Sequence, residues 1–168
     1  MNHLFKRKIR RYIFAVIMLF VAGYMSIFIK DTIDARNPEV SLPIIEVISG
    51  YTAVPTAPRA GYEWEFGVKS VQSPFLSSID VPIIAYDALP DTPILVRFSS
   101  PAEKITIYQG VGNTYEGKVF ASEFEEMRYG INTPSTEGVF VYKVVAQFSR
   151  GKIVHYFALN VKSPHNIV

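Results

Sequence analysis

The sequence predicts an all-β domain, an antiparallel β-sandwich, preceded by a single N-terminal transmembrane helix. Three observations carry this. Eighteen residues from Tyr12 to Ile29 run without a charge between basic flanks. Beyond them the chain is rich in short runs of Val, Ile, Tyr, Phe and Thr, several alternating with period two. Ten of the 11 prolines lie after Pro38, punctuating those runs as turns do. The length of 168 residues suits one membrane segment plus one compact domain of about 100–150 residues. With 49% hydrophobic and 19% charged residues the chain is too apolar to be disordered.

The formal net charge of +2 hides two opposite parts. Residues 1–30 hold six basic side chains, Lys6, Arg7, Lys8, Arg10, Arg11 and Lys30, and no acidic one, whereas residues 31–168 hold 11 basic and 15 acidic. The basic residues of the second part are scattered singly, so no cluster exists to displace counterions from phosphates and nucleic acid is excluded as a partner. Residues 1–11 read as a cytoplasmic basic tail. Residues 12–29, about 27 Å long as a helix, read as a transmembrane signal-anchor, because the positive flank keeps the N-terminus inside and exports the rest. A cleaved signal peptide is the rival reading, since Val21-Ala22-Gly23 offers small residues. The apolar run continues through Tyr24-Met25-Ser26-Ile27-Phe28-Ile29, where a mature secreted chain turns polar, and this favours the uncleaved anchor. Ala22 and Ser26 form one small-xxx-small pair, a spacing common by chance.

Residues 30–44 are expected to form a juxtamembrane linker. The helix continues into water with Asp31 and Asp34 solvating it, until Pro38 breaks it. Residues 45–162 are the expected sandwich, of seven or so strands, and 163–168 a C-terminal tail. In the stretch from Tyr62 to Val68 the aromatic and apolar residues take even positions and Glu63 and Glu65 odd ones, as in a half-buried strand. Ile94–Phe98 and Lys104–Tyr108 flank Ser99-Ser100-Pro101-Ala102-Glu103, which suits a link between adjacent strands. The clearest unit is a hairpin: Phe140, Tyr142, Val144, Ala146 and Phe148 share one face, Ser149-Arg150-Gly151-Lys152 turns the chain with the glycine supplying positive φ, and Ile153, His155, Phe157, Leu159 and Val161 return.

Three of these segments, Gly61-Tyr62-Glu63-Trp64, Ile105-Thr106-Ile107-Tyr108 and the 134–161 hairpin with Gly138, Gly151 and Tyr156-Phe157-Ala158-Leu159-Asn160-Val161, resemble an immunoglobulin-like domain. Such extracytoplasmic domains occur in uncharacterised lipoproteins and membrane-anchored proteins of Gram-positive bacteria. The resemblance covers residues 45–162 and implies architecture but no activity. Those proteins are often tethered through a lipidated cysteine, whereas this chain has none and the helix of residues 12–29 takes that role.

The absence of cysteine also excludes a disulfide framework, a thiolate zinc site and a cysteine nucleophile, and with it anchored enzymes such as sortases and L,D-transpeptidases. Of the three histidines only His155 lies in an expected strand. A base there needs a hydroxyl, such as that of Ser149, and an orienting carboxylate that no motif identifies, so a satisfied histidine near the sheet end is the favoured reading. Glu123, Glu125 and Glu126, and Asp80, Asp87 and Asp91, lack the D-x-[DN]-x-[DN]-G spacing of a calcium loop and read as solvated acids. Trp64 reads as a core anchor. No catalytic, cofactor-binding or metal-ligating residues are assigned. Tyr108, Tyr115 and Tyr129, in or beside the glycine-rich 108–130 region, are the candidate partner-binding residues, since loop tyrosines bind at small entropic cost.

The expected function is a non-enzymatic, membrane-tethered extracytoplasmic binding or interaction module, held in the cell membrane through residues 12–29, that binds another envelope protein or a ligand through loops at one end of the sandwich. The alternative is a bitopic assembly subunit acting through its transmembrane helix. A carboxylate-dependent enzyme ranks third.

Overall fold

A computed structural model describes residues 3–56, 58–111, 118–119, 122–125 and 128–163, with side chains at 10–56, 58–110 and 130–163. The chain divides into two compact units, Met1–Ser41 with Glu65–Val71, and Leu42–Trp64 with Gln72–Val168.

The first unit is dominated by helix α1, His3–Arg36. At about 1.5 Å per residue its 34 residues extend about 51 Å, and one stretch within it is long and apolar enough to cross a membrane. Among the described residues nothing buries that stretch: the large apolar side chains from Tyr12 to Ile29 are all between 45% and 77% exposed. A helix apolar around its whole circumference is stable only in an apolar surrounding. The Ser26 hydroxyl donates to the Ala22 carbonyl (2.9 Å), so it brings no unsatisfied donor into the run. Past Ile29 the helix turns polar, and Lys30 Nζ pairs with Asp34 Oδ2 one turn on (2.7 Å). Helix α1 ends just before Pro38, which opens the short helix α2, Pro38–Ser41, where its missing N–H costs nothing. Ser41 ties the corner, donating to Asp34 Oδ1 and to the Asn37 carbonyl. Asp31 departs from the expectation of a solvated residue. It is 7% exposed and takes part in an interaction within the protein, as a buried carboxylate must.

The strands form two sheets, which belong to the second unit apart from Glu65, Ser70 and Val71, which fall in the first. The smaller sheet has the order β2-β1-β6-β10-β9, from strands β1 (Ile45–Ser49), β2 (Thr52–Val54), β6 (Pro93–Phe98), β9 (Ser122–Glu125) and β10 (Arg128–Asn132). The larger has the order β4-β3-β12-β11-β7-β8, from β3 (Gly61–Glu65), β4 (Ser70–Ser73), β7 (Lys104–Val111), β8 (Lys118–Val119), β11 (Gly138–Phe148) and β12 (Gly151–Val161). Strand β5 (Ala85–Ala88) lies parallel to β12 over Ala158–Val161, on the edge that β3 occupies over Gly151–Val154. The pairings are otherwise antiparallel, and the described strands number 12 rather than the expected seven or so.

Alternation decides which face each strand buries. Ile45, Val47, Ile94, Val96 and Phe98 of the smaller sheet are buried. So are Ile105, Ile107, Phe140, Tyr142, Val144, Ala146, Phe148, Ile153, His155, Phe157, Leu159 and Val161 of the larger. The sheets meet through rings: Phe98 of the smaller packs edge-on against Phe148 of the larger at 5.5 Å and lies 6.4 Å from His155, while within the larger sheet Phe148 packs against Trp64 at 5.4 Å. Tyr142 and Phe157, directly opposed in register, stack at 4.6 Å with planes 7° apart.

Two expectations are corrected by this topology. Ser99–Glu103 does not join neighbours but carries the chain from β6 in one sheet to β7 in the other. A period-two pattern fixes which face of a strand is buried and leaves open which strand lies beside it. Gly151 is not in the turn, since Phe148 pairs with Gly151 and the loop is Ser149-Arg150 alone. Its role is close approach: a Cβ there would stand 2.0 Å from the Glu63 carbonyl oxygen on β3.

The outer face of β12 is also buried. Val154, Tyr156 and Ala158 cluster with Ala60, Val81 and Val141, with Ile83 packed on them. Residues 74–84 form the strap that covers them. It is held where Leu76 N–H donates to the Ala60 carbonyl (2.6 Å) and the Tyr156 hydroxyl donates to the Leu76 carbonyl (3.2 Å).

Candidate functional site

The chain enters the second unit at Leu42 and Pro43 and runs up β1 from Ile45, so the end of the sheets beyond Ser49 is the one farthest along from that entry. Register brings several loops to this end. Ser49 pairs with Ile94, Asn132 with Pro93, Gly138 with Val161, and Val161 with Ala88. The β1–β2 tip, the β5–β6 link (89–92) and the β10–β11 link (133–137) therefore gather there, and β7 also points there, with Val111 opposite Phe140.

Hydrogen bonds fix these loops to one another. Thr133, 2% exposed, is the hub: its hydroxyl donates to the Leu89 carbonyl and accepts from Thr92 N–H, both at 2.7 Å, while its own N–H donates to the Thr92 carbonyl. Ser135 donates to the Asp91 carboxylate (2.6 Å), and Asp91 holds a left-handed backbone (φ 52°), a conformation that Asp tolerates in turns. Behind them Asp87 accepts from Asn160 (2.9 Å) and pairs with Lys162 (2.8 Å), and these contacts, Lys162 first, hold its carboxyl below the ordinary value of 3.8.

On this scaffold stands Tyr51. The β1–β2 loop has two residues, Gly50 and Tyr51, because Ser49 pairs with Thr52. Gly50 supplies the positive φ (59°) that so tight a loop needs, and its N–H donates to the Pro93 carbonyl (2.9 Å). Tyr51 is fully exposed, with Thr52 and Ala53 exposed beside it. A rigidly mounted aromatic ring in water offers a partner a large apolar contact and a hydroxyl, at little cost in chain entropy. The sequence held a signal for it: Gly50 between the β-branched-rich segment 44–48 and the apolar pair 53–54, with an aromatic as the other loop residue.

The three tyrosines singled out from sequence do not gather in one described loop. Tyr108 is half-buried within β7, between Lys143 of β11 and Lys118 of β8 in register. Tyr129 lies in β10 of the other sheet, opposite Val96. Tyr115 lies outside the described residues.

The residues considered for chemistry are also kept apart. His155 is 5% exposed inside the sheets and opposes Val144, five residues along β11 from Ser149, or about 17 Å. Asp80 accepts from Ser77 (2.6 Å), whereas Asp87 and Asp91 serve the loop contacts above. Glu123 and Glu125 lie in β9, and Glu126 is outside the described residues. Among the described residues no group of three or more His, Cys, Asp or Glu side chains is placed to hold a metal ion. The chain matches no protein-family model, no curated protein and no solved structure.

Proposed function

We propose that this chain is a membrane-tethered extracytoplasmic interaction module without enzymatic activity, its domain an immunoglobulin-like sandwich and its partner another envelope protein. One observation carries the reading: a helix apolar on every side and uncovered by its own protein leads into a β-domain whose far end mounts a fully exposed tyrosine on interlocked loops. The facing sheets and the packing of Trp64 on Phe148 support the immunoglobulin-like assignment. The strap over residues 74–84 and the parallel strand β5 are additions to such a sandwich. The basic residues before Tyr12, against a net negative remainder, support a cytoplasmic N-terminus.

The second reading, an assembly subunit acting through its helix, draws on the same uncovered surface, which a partner helix covers as well as lipid does. Site-specific photo-cross-linking of the full chain in its native membrane separates the two. A cross-linker at position 51 that captures a protein, with none captured from position 22, supports the interaction module. Capture from position 22 alone supports the assembly subunit and overturns the first reading.

A further inference from the structure

Within the first unit, the last turns of α1 and the 66–69 loop enclose an open cleft of about 510 Å³, lined by Thr32, Ala35, Arg36, Val68 and Lys69. Its volume falls in the range of small-ligand sites, about 300–1,000 Å³. Arg36 and Lys69 are exposed, and among the described residues neither side chain is taken up by an ion pair or a hydrogen bond. The acids of this unit are engaged: Asp34 with Lys30 and Ser41, and Asp31, Glu39 and Glu65 each in an interaction within the protein. The Thr32 hydroxyl donates to the Phe28 carbonyl (2.7 Å), which leaves the two cations as the side-chain donors of the cleft. A guanidinium and an ammonium lining one opening suit a phosphate ester, the first as a planar fork and the second as a point charge.

The height of the cleft names the source of that phosphate. The apolar run ends at Ile29, so Thr32 and Arg36 stand about 4.5 Å and about 10 Å beyond it along the axis. The headgroup layer of a bilayer occupies about 5–7 Å outside the hydrocarbon on each side, so Thr32 stands within it and the Arg36 backbone just outside it, with a side chain that leans back toward the helix N-terminus and the headgroups as helical side chains do. Val68 and Ala35 give it an apolar flank suited to the ester region beneath a headgroup. We infer that this cleft is a binding site for the phosphate headgroup of an anionic phospholipid in the leaflet that α1 reaches at its C-terminal end. The inference rests on the membrane anchoring proposed above, though not on its orientation.

The test uses the full chain in nanodiscs of phosphatidylcholine with one-fifth phosphatidylglycerol, with the lipids retained after release counted by native mass spectrometry. The wild type should retain phosphatidylglycerol in preference to phosphatidylcholine. Arg36→Gln should lower that preference about five-fold, and Arg36→Gln with Lys69→Gln about 25-fold, from the usual worth of a basic residue at a lipid surface. Arg36→Lys should keep the preference within about two-fold. Equal retention of both lipids by the wild type, or an unchanged preference in the double variant, overturns the inference. So does loss of the preference on adding inorganic phosphate at millimolar concentration, which assigns the cleft to a free anion. Carbonate extraction of membranes carrying the same chain separates the two failures: a chain that stays in the membrane but shows no preference refutes the cleft alone, and a chain released by carbonate refutes the anchoring and the cleft together.

Discussion

Replacing Tyr142 with Phe should make this protein more stable. The Tyr142 side chain is fully buried, and its hydroxyl has no hydrogen-bond partner among the described residues. A buried polar group without a partner costs about 1–3 kcal/mol relative to the solvated state. The ring meanwhile stacks on Phe157, and Tyr142→Phe keeps that stack and nearly all the packing. Removal of the oxygen leaves a void smaller than a methyl group, which takes back part of the gain. We expect a net of about 1–2 kcal/mol, or a Tm higher by about 4–8 °C in a domain of this size. The effect depends on pH. Burial holds the phenol above its ordinary 10.0, so above pH 10 the unfolded chain loses a proton that the folded chain keeps, and folding weakens by about 1.4 kcal/mol per pH unit. Tyr142→Phe should remove that share of the alkaline decline and leave the decline below pH 10 unaltered. The assay is denaturant unfolding of the full chain in micelles, followed by fluorescence of Trp64, the only tryptophan, which sits against Phe148. A variant that is less stable than the wild type at pH 7, or whose advantage over the wild type is no larger at pH 11 than at pH 7, refutes the reasoning and means the hydroxyl is satisfied where it lies.

Gly151→Ala should destabilise by about 3 kcal/mol, because the new Cβ meets the backbone of Glu63 and Trp64 and β3 must move off β12. Red-shifted Trp64 emission with a lowered Tm is the expected signature, and wild-type emission would contradict it. Tyr51→Ser should leave the unfolding free energy within about 0.5 kcal/mol, since the side chain is fully exposed, while lowering partner capture from neighbouring position 53. An NMR titration should find Asp87 with a midpoint below 3.8, moving up in Lys162→Gln. Its contribution to stability is therefore present above pH 3.8 and is lost as the pH falls through the folded-state midpoint.

Much of the fold was legible because alternation is strict where a strand buries one face. Every position from Phe140 to Phe148 and from Ile153 to Val161 expected inside is buried, and the run from Tyr12 to Ile29 is a single helix. What was not legible depends on contacts distant in sequence. The unbroken apolar stretch His155-Tyr156-Phe157-Ala158-Leu159 carries both parities, which reads as one buried face until the 74–84 strap supplies the second cover. That strap and the parallel strand β5 have no local signature, since two prolines and scattered apolar residues also describe an ordinary loop. The candidate site was missed for a different reason. Dense glycines between 108 and 130 point to a loop there, whereas exposure is set by loop length, and the two-residue loop at Gly50-Tyr51 leaves its aromatic no surface to lie on.

The central claim is that α1 anchors the chain with the β-domain outside the cell. The absence of native cysteine makes one measurement direct. Single variants Tyr51→Cys and Asn2→Cys, expressed in intact cells, are treated with a membrane-impermeant maleimide before and after lysis. The account predicts that position 51 reacts in intact cells and position 2 only after lysis. Labelling of position 2 in intact cells with position 51 protected would contradict it.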